Sequence, residues 1–200
     1  MASIENTSMT NALLIHINKF ADLSEEQSEK ILSCFVSKKY QKKEYILQAG
    51  SVSEHECFIV EGCLRAFVVD YKGNEHTLRF GIENSWIGDL DSFFKREPAT
   101  YNIQALEPTT ALMIRVDKMN ELMRTMPEFE HYFRIMFQYG VMSLQKRLVQ
   151  DLTLSAEERY TYFTEKYPHL LQRVPQKHIA SYLGMTPEFL SSLRKKISQK

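Results

Sequence analysis

Cysteine is scarce in this chain. Its 200 residues hold three, Cys34, Cys57 and Cys63, an odd number with no CxxC spacing. That excludes a disulfide framework and a paired-cysteine zinc motif, and buried thiols in a reducing cytoplasm are the expected state. Long apolar runs are missing as well, so no membrane span is expected. The stretch ALLIHINKF (12–20) is apolar but short, with neither a basic leader nor a small-residue cleavage site, and is not expected to be a signal peptide. No G-x-S-x-G, Walker loop or HExxH occurs. Glu54, Glu56 and Glu61 read as solvated strand-edge charges rather than an acid–base pair. His55, Cys57, Cys63 and His76 are the nearest approach to a ligand cluster, yet Cys57 and Cys63 flank a glycine turn and need not converge. No enzyme, no catalytic residue, no metal and no resident cofactor is expected.

Net charge is absent too, with 25 Lys+Arg against 25 Asp+Glu, which at first argues against a nucleic-acid partner. The balance hides an asymmetry. Residues 1–145 carry 15 basic and 20 acidic side chains, a net of −5, whereas residues 146–200 carry 10 and 5, a net of +5. A basic C-terminal segment behind an acidic body suits a separate module attracted to phosphates. The length allows one large domain or two modest ones, each with its own core.

The most specific local signal is QKHIASYLGMTPEFLSSLRKKI (176–197). Ala180 is small enough for two helices to cross closely, and Gly184 supplies the left-handed backbone that ends the first of them. Ile179, Leu183, Met185, Leu190 and Leu193 are the expected buried positions. Thr186-Pro187-Glu188 restarts a helix with a hydroxyl cap, a proline that needs no N–H, and an acid near the positive end. These features fall in register as a helix-turn-helix, whose second helix would face a DNA major groove.

Upstream, residues 11–36 read as two helices, the second capped by Ser24 with Ile31, Leu32 and Phe35 on its apolar face. From Lys38 to Ile114 the texture becomes short strands, at 45–48, 57–61, 64–69, 75–80, 102–105 and 110–115, punctuated by Gly50, Gly62, Lys72-Gly73-Asn74, Gly81 and Gly88. Many short strands at this spacing mean an antiparallel roll or barrel. Residues 127–154 form one long helix with two stripes. Phe133, Phe137, Val141, Leu144, Leu148 and Leu152 make the first; Phe129, Tyr132, Met136, Tyr139 and Ser143 make a second, partly apolar one. A surface helix needs only one such stripe, so the second points to packing on the roll and also against another copy of itself, the alternative being a helix fully buried within one core. Ser155-Ala156-Glu157-Glu158 starts a further helix that Pro168 closes. The expected fold is α+β, with a roll domain over 1–126, a dimerisation helix over 127–154 and a helix-turn-helix domain over 155–200.

ILQAGS (46–51), CFIVEG (57–62), LRAFVVDYKGNEHTLRF (64–80), WIGDLDSF (86–93) and the helix-turn-helix occur in an order that resembles the Crp/Fnr family of bacterial transcription regulators. The resemblance covers nearly the whole chain. It implies a cyclic-nucleotide-binding-like roll, a homodimer, double-stranded DNA and RNA polymerase as partners, and no membrane. Some members carry an iron–sulfur cluster on N-terminal cysteines, which residues 1–33 lack. In nucleotide-binding members a Gly-Glu-Leu at the place of Gly88-Asp89-Leu90 holds the ribose, and an arginine about ten residues on holds the phosphate. Here that stretch is one residue longer and the arginine position falls at Ala99, with Arg96 three residues earlier. A buried phosphate without a charged partner is costly, so a cyclic nucleotide is not expected. Any other effector is expected to meet Gly88, Asp89, Leu90, Thr100 and Tyr101, the tyrosine offering an aromatic face rather than a charge.

The recognition helix departs from the family as well. Family arginines are replaced by Pro187 and Ser192, and only the acid, Glu188, is kept. On the residues of this chain the DNA contacts are expected at Thr186, Glu188, Ser191, Ser192 and Lys195, with Gln176 and Lys177 at the start of the preceding helix. Glu188 can accept from a cytosine amino group, the serines can read several bases, and Lys177 and Lys195 suit phosphates. The competing reading is a ligand-binding or protein-interaction roll whose helical tail serves dimerisation alone.

Overall fold

The computed structural model describes residues 11–198. Residues 11–17 form helix α1, followed by α2 (Glu25–Ser33) and the strands β1 (Phe35–Tyr40), β2 (Tyr45–Leu47), β3 (His55–Glu61), β4 (Leu64–Val69), β5 (Glu75–Gly81) and β6 (Trp86–Ile87). A short helix α3 (Leu90–Lys95) then precedes β7 (Asn102–Ala105) and β8 (Thr109–Arg115). The rest is helical: α4 (Val116–Thr125), α5 (Pro127–Thr153), α6 (Ala156–Lys166), α7 (Leu170–Arg173), α8 (Gln176–Tyr182) and α9 (Pro187–Ser198). The strands form two four-stranded sheets, ordered β1-β8-β3-β6 and β2-β7-β4-β5, with β1, β3 and β8 antiparallel. This is the antiparallel roll, long helix and helical C-terminus of an α+β protein.

The chain comprises two compact units. One runs through Ala66 and from Phe80 to Tyr139; the other holds Phe67–Arg79, the outer end of the β4–β5 hairpin, together with the chain from Gly140 onward. Helix α5 contributes to both. In the first unit the strand alternation decides which side is covered by what. Phe58 of β3 and Leu112 and Ile114 of β8 project to one face of their sheet. There they meet Leu13 and Ile17 of α1, Ile31 of α2, Phe93 of α3, Met119 and Leu122 of α4, and Phe129, Tyr132 and Phe133 of α5. Cys57 and Met113, one residue out of phase, point into the roll instead. The aromatic centre of the core holds one polar chain of three side chains. Trp86 Nε1 donates to Tyr132 Oη at 2.7 Å, and the same hydroxyl meets His16 Nδ1 at 2.8 Å. A neutral imidazole accepts the tyrosine proton and satisfies both groups, and burial holds the His16 pKa below its ordinary value, with Lys19 adding to the effect.

Local chemistry explains the helix starts. Ser24 and Gln27 form a reciprocal capping box on α2, with Gln27 N donating to Ser24 Oγ at 3.2 Å and Ser24 N to Gln27 Oε1 at 2.8 Å. Ser155 and Glu158 repeat it on α6. Three expectations need correcting. Phe35 opens β1 instead of extending α2, because α2 ends at Ser33 and residues 35–40 pair with β8. Cys34 is half-buried, not buried. Glu56 is not a solvated edge charge: it lies on β3 within the sheet, pairs across to Ile114, and is 2% exposed on the face the helices cover.

Candidate nucleic-acid interface and effector cavity

The second unit contains the helix pair. Helix α8 ends in a two-bond left-handed cap: Gly184, at φ +69°, donates to Ser181 O at 3.2 Å, and Met185 N donates back to Ala180 O at 2.9 Å. Ala180 is fully buried where the helices cross, beside buried Ile179, Leu183, Leu190 and Leu193; Met185 is half-buried. Thr186 Oγ1 accepts from Phe189 N at 3.2 Å, which caps α9 just before Pro187. A cap of this kind is worth about 1 kcal/mol. Glu188 in the first turn and Lys195 and Lys196 in the last complement the helix dipole.

All seven expected DNA-contacting residues, Gln176, Lys177, Thr186, Glu188, Ser191, Ser192 and Lys195, are exposed. At about 100° per residue, Glu188, Ser191, Ser192 and Lys195 fall opposite the buried Leu190 and Leu193. Lys196 pairs with Glu157 of α6 at 3.6 Å, so it is held to the flank. The unit has 12 Lys+Arg and 7 Asp+Glu, a net of +5. It therefore presents a polar helix face on a basic body.

Two arginines that sequence reasoning missed hold α8 in place. Arg147 donates to Leu78 O and Thr77 O of β5 and, at 2.9 Å, to Tyr182 O at the end of α8. Its guanidinium also stacks 4.1 Å from the Tyr182 ring centroid. Arg159 donates to Leu154 O at 2.8 Å and to Leu183 O at 3.3 Å, satisfying carbonyls left over at two helix ends. Ser181 adds a bridge, accepting from Thr77 N and donating to Glu75 O, each at 2.8 Å. These bonds span some 24 to 106 positions of sequence, beyond any local pattern, except that between Arg159 and Leu154.

In the first unit a cavity of about 580 Å³ opens between the two sheets. Its floor is apolar (Leu47, Val52, Ile87, Ile103 and Met113), and Tyr40, Ser51, Ser53 and His55 are among its polar lining. Tyr40 Oη donates to Met113 Sδ, and burial raises the pKa of both Tyr40 and Cys57, so both stay neutral there. Of the five residues expected to face an effector, Gly88 lines this cavity and the other four do not. Buried Asp89 accepts from Ser92 N with one oxygen and from Thr100 N with the other, both at 3.2 Å. Tyr101 Oη donates to Gly88 O at 2.6 Å, while Leu90 and Thr100 are exposed. Gly88 could carry no side chain, since a Cβ would collide with the Glu56 carboxylate. Arg96, left-handed at φ 62°, donates to Ser53 O at 2.9 Å and sits 3.9 Å from Glu54. Ala99 is buried and exchanges backbone bonds with Gly50 and Ser51.

Residues 37–126 match the cyclic nucleotide-binding domain family. The chain is 25% identical over 183 residues to the regulatory protein HlyX of Actinobacillus pleuropneumoniae, covering 86% of this chain and 75% of that one. It is 24% identical over 167 residues to electron transport regulator A of Shewanella oneidensis, covering 78% and 66%. Both relatives are named as regulators, and the chain is similar to them over most of its length. Among solved structures, FixK2 from Bradyrhizobium japonicum superposes with a TM-score of 0.72 at 15% identity, over 82% of this chain and 85% of that one. The segment around Gly88-Asp89-Leu90 is committed internally. Its acid bonds two backbone N–H groups, its nearest arginine bonds a carbonyl, and alanine stands at the phosphate-arginine position. Among the described residues no group of three His, Cys, Asp or Glu side chains converges to hold a metal, and no helix is long and apolar enough to cross a membrane.

Proposed function

We propose that this chain is a sequence-specific DNA-binding transcription regulator of the Crp/Fnr family, not an enzyme, acting in the cytoplasm as a homodimer with RNA polymerase as a further partner. The observation that carries the reading is the α8–turn–α9 pair: a left-handed Gly184 cap, a buried crossing at Ala180, and the expected reading residues all on exposed positions of a basic unit. Supporting the homodimer, α5 leaves Tyr139, Val141, Met142, Leu144, Leu148, Val149 and Leu152 exposed along one helix. Spacings of three and four from Val141 through Leu152 make a coiled-coil-like seam that a second copy would cover. Supporting an effector other than a cyclic nucleotide, the roll cavity sets apolar Leu47, Ile87, Ile103 and Met113 beside Tyr40, with Lys38 and Glu54 as its charged lining, while Asp89 and Arg96 are occupied.

The test is binding of purified protein to a random duplex pool at rising salt. A binding constant whose logarithm falls linearly with the logarithm of salt concentration is expected from phosphate contacts by Lys177 and Lys195. A protein that leaves every duplex unretarded at low salt is instead the ligand-binding or interaction module.

A further inference from the structure

The exposed face of α9 is not wholly polar. Phe189 is 50% exposed and lies three residues before Ser192, so it borders the exposed face of Glu188, Ser191 and Ser192. Leu190 and Leu193 fill the core beneath, and half of the Phe189 surface is left in solvent. The first turn of a recognition helix is the part that enters the major groove. Around Phe189 that turn offers only Thr186, Glu188, Ser191 and Ser192, whose hydrogen bonds discriminate weakly between bases, apart from one acid suited to cytosine. The single apolar mark on the floor of a major groove is the thymine 5-methyl group, and an aromatic ring is a fitting receptor for it.

We propose that Phe189 is a specificity-determining residue, packing its ring on a thymine methyl in each half-site. The assignment rests on the DNA-binding reading above. Burying one methyl against the ring corresponds to about fourfold in affinity per half-site.

The experiment uses the full-length protein and the duplexes it selects from a random pool. Each thymine is replaced in turn by deoxyuridine, which lacks only the methyl. One thymine per half-site should prove sensitive, its replacement weakening wild-type binding about fourfold per half-site. Phe189→Ala should bind the thymine and deoxyuridine duplexes equally. Far-UV circular dichroism checks its fold, and Phe189→Leu should keep part of the discrimination. Selected half-sites without thymine, indifference of the wild type to every replacement, or undiminished discrimination by Phe189→Ala would each overturn the proposal while leaving DNA binding intact. A wild type that selects no duplex overturns it together with the reading it rests on.

Discussion

Replacing Leu144 and Leu148 with glutamate should convert the protein to a folded monomer. The two side chains are 63% and 61% exposed on α5, so their loss costs the isolated chain little. In a dimer seamed by α5 they would be covered. Fully burying a leucine is worth about 1.5–3 kcal/mol, so covering the exposed part contributes about 1–2 kcal/mol each. Two leucines from each protomer then supply about 4–8 kcal/mol, and a difference between variants is safer than an absolute sum over the interface. Four facing carboxylates add repulsion and desolvation. The dimer dissociation constant should therefore rise by at least about 1,000-fold. Sedimentation equilibrium over a concentration series measures it, with circular dichroism as the folding control. A double variant that remains dimeric at the parent's dissociation constant, or a parent that is itself monomeric, would refute the seam.

Glu188→Ala should relax base preference at one position per half-site by about 1–3 kcal/mol, whereas Lys195→Ala should weaken all sequences alike and flatten the salt slope by about one unit per half-site. An unchanged preference profile on a panel of single-base variants would leave Glu188 with only its helix-dipole role. Calorimetry with cyclic AMP and cyclic GMP should show no heat at micromolar ligand; tight binding of either would mean that Arg96 leaves Ser53 for the phosphate. Stability should fall on acidification below pH 6.5, because His16 and His55 are both held below their ordinary value of 6.5 by burial and the unfolded chain takes up their protons first. The stability from His16 is complete above that pH and is lost as pH falls towards its folded pKa, so in urea titrations His16→Gln should be less stable at neutral pH with a shallower decline, a parallel decline counting against the His16–Tyr132 bond. Thr77→Val should raise the melting temperature slightly, since the buried Thr77 hydroxyl has no hydrogen-bond partner among the described residues and removing it relieves about 1 kcal/mol; a fall of several degrees would contradict this.

What was legible in the sequence was local. Gly184, Thr186 and Pro187 each demand a particular backbone, so the turn between α8 and α9 could be read residue by residue, and the boxes at Ser24 and Ser155 likewise. The six expected strands are found within a few residues. Strand β1 was missed because Ser33-Cys34 carries no glycine or proline to break α2, and Phe35 happens to continue its apolar spacing. Glu56 was misplaced because period-two alternation says that a residue changes face, not that helices will bury the outer face as well. Arg147 and Ser181 left no trace in the pattern. Their partners in the β4–β5 hairpin are distant in sequence, and an arginine on a helix reads as a solvated charge until the carbonyls it serves are in place. The candidate effector segment was located by motif, but its committed state depends on bonds such as Asp89 to Thr100 and Arg96 to Ser53 that no spacing announces.

The most direct measurement of the central claim is the sequence recovered when purified protein selects from a random duplex library. A dimer joined through α5, with one α9 per protomer, should enrich two inverted half-sites whose centres lie about one helical turn, or 10 base pairs, apart. A recovered pool no more ordered than the input, or a single unpaired half-site, would contradict it.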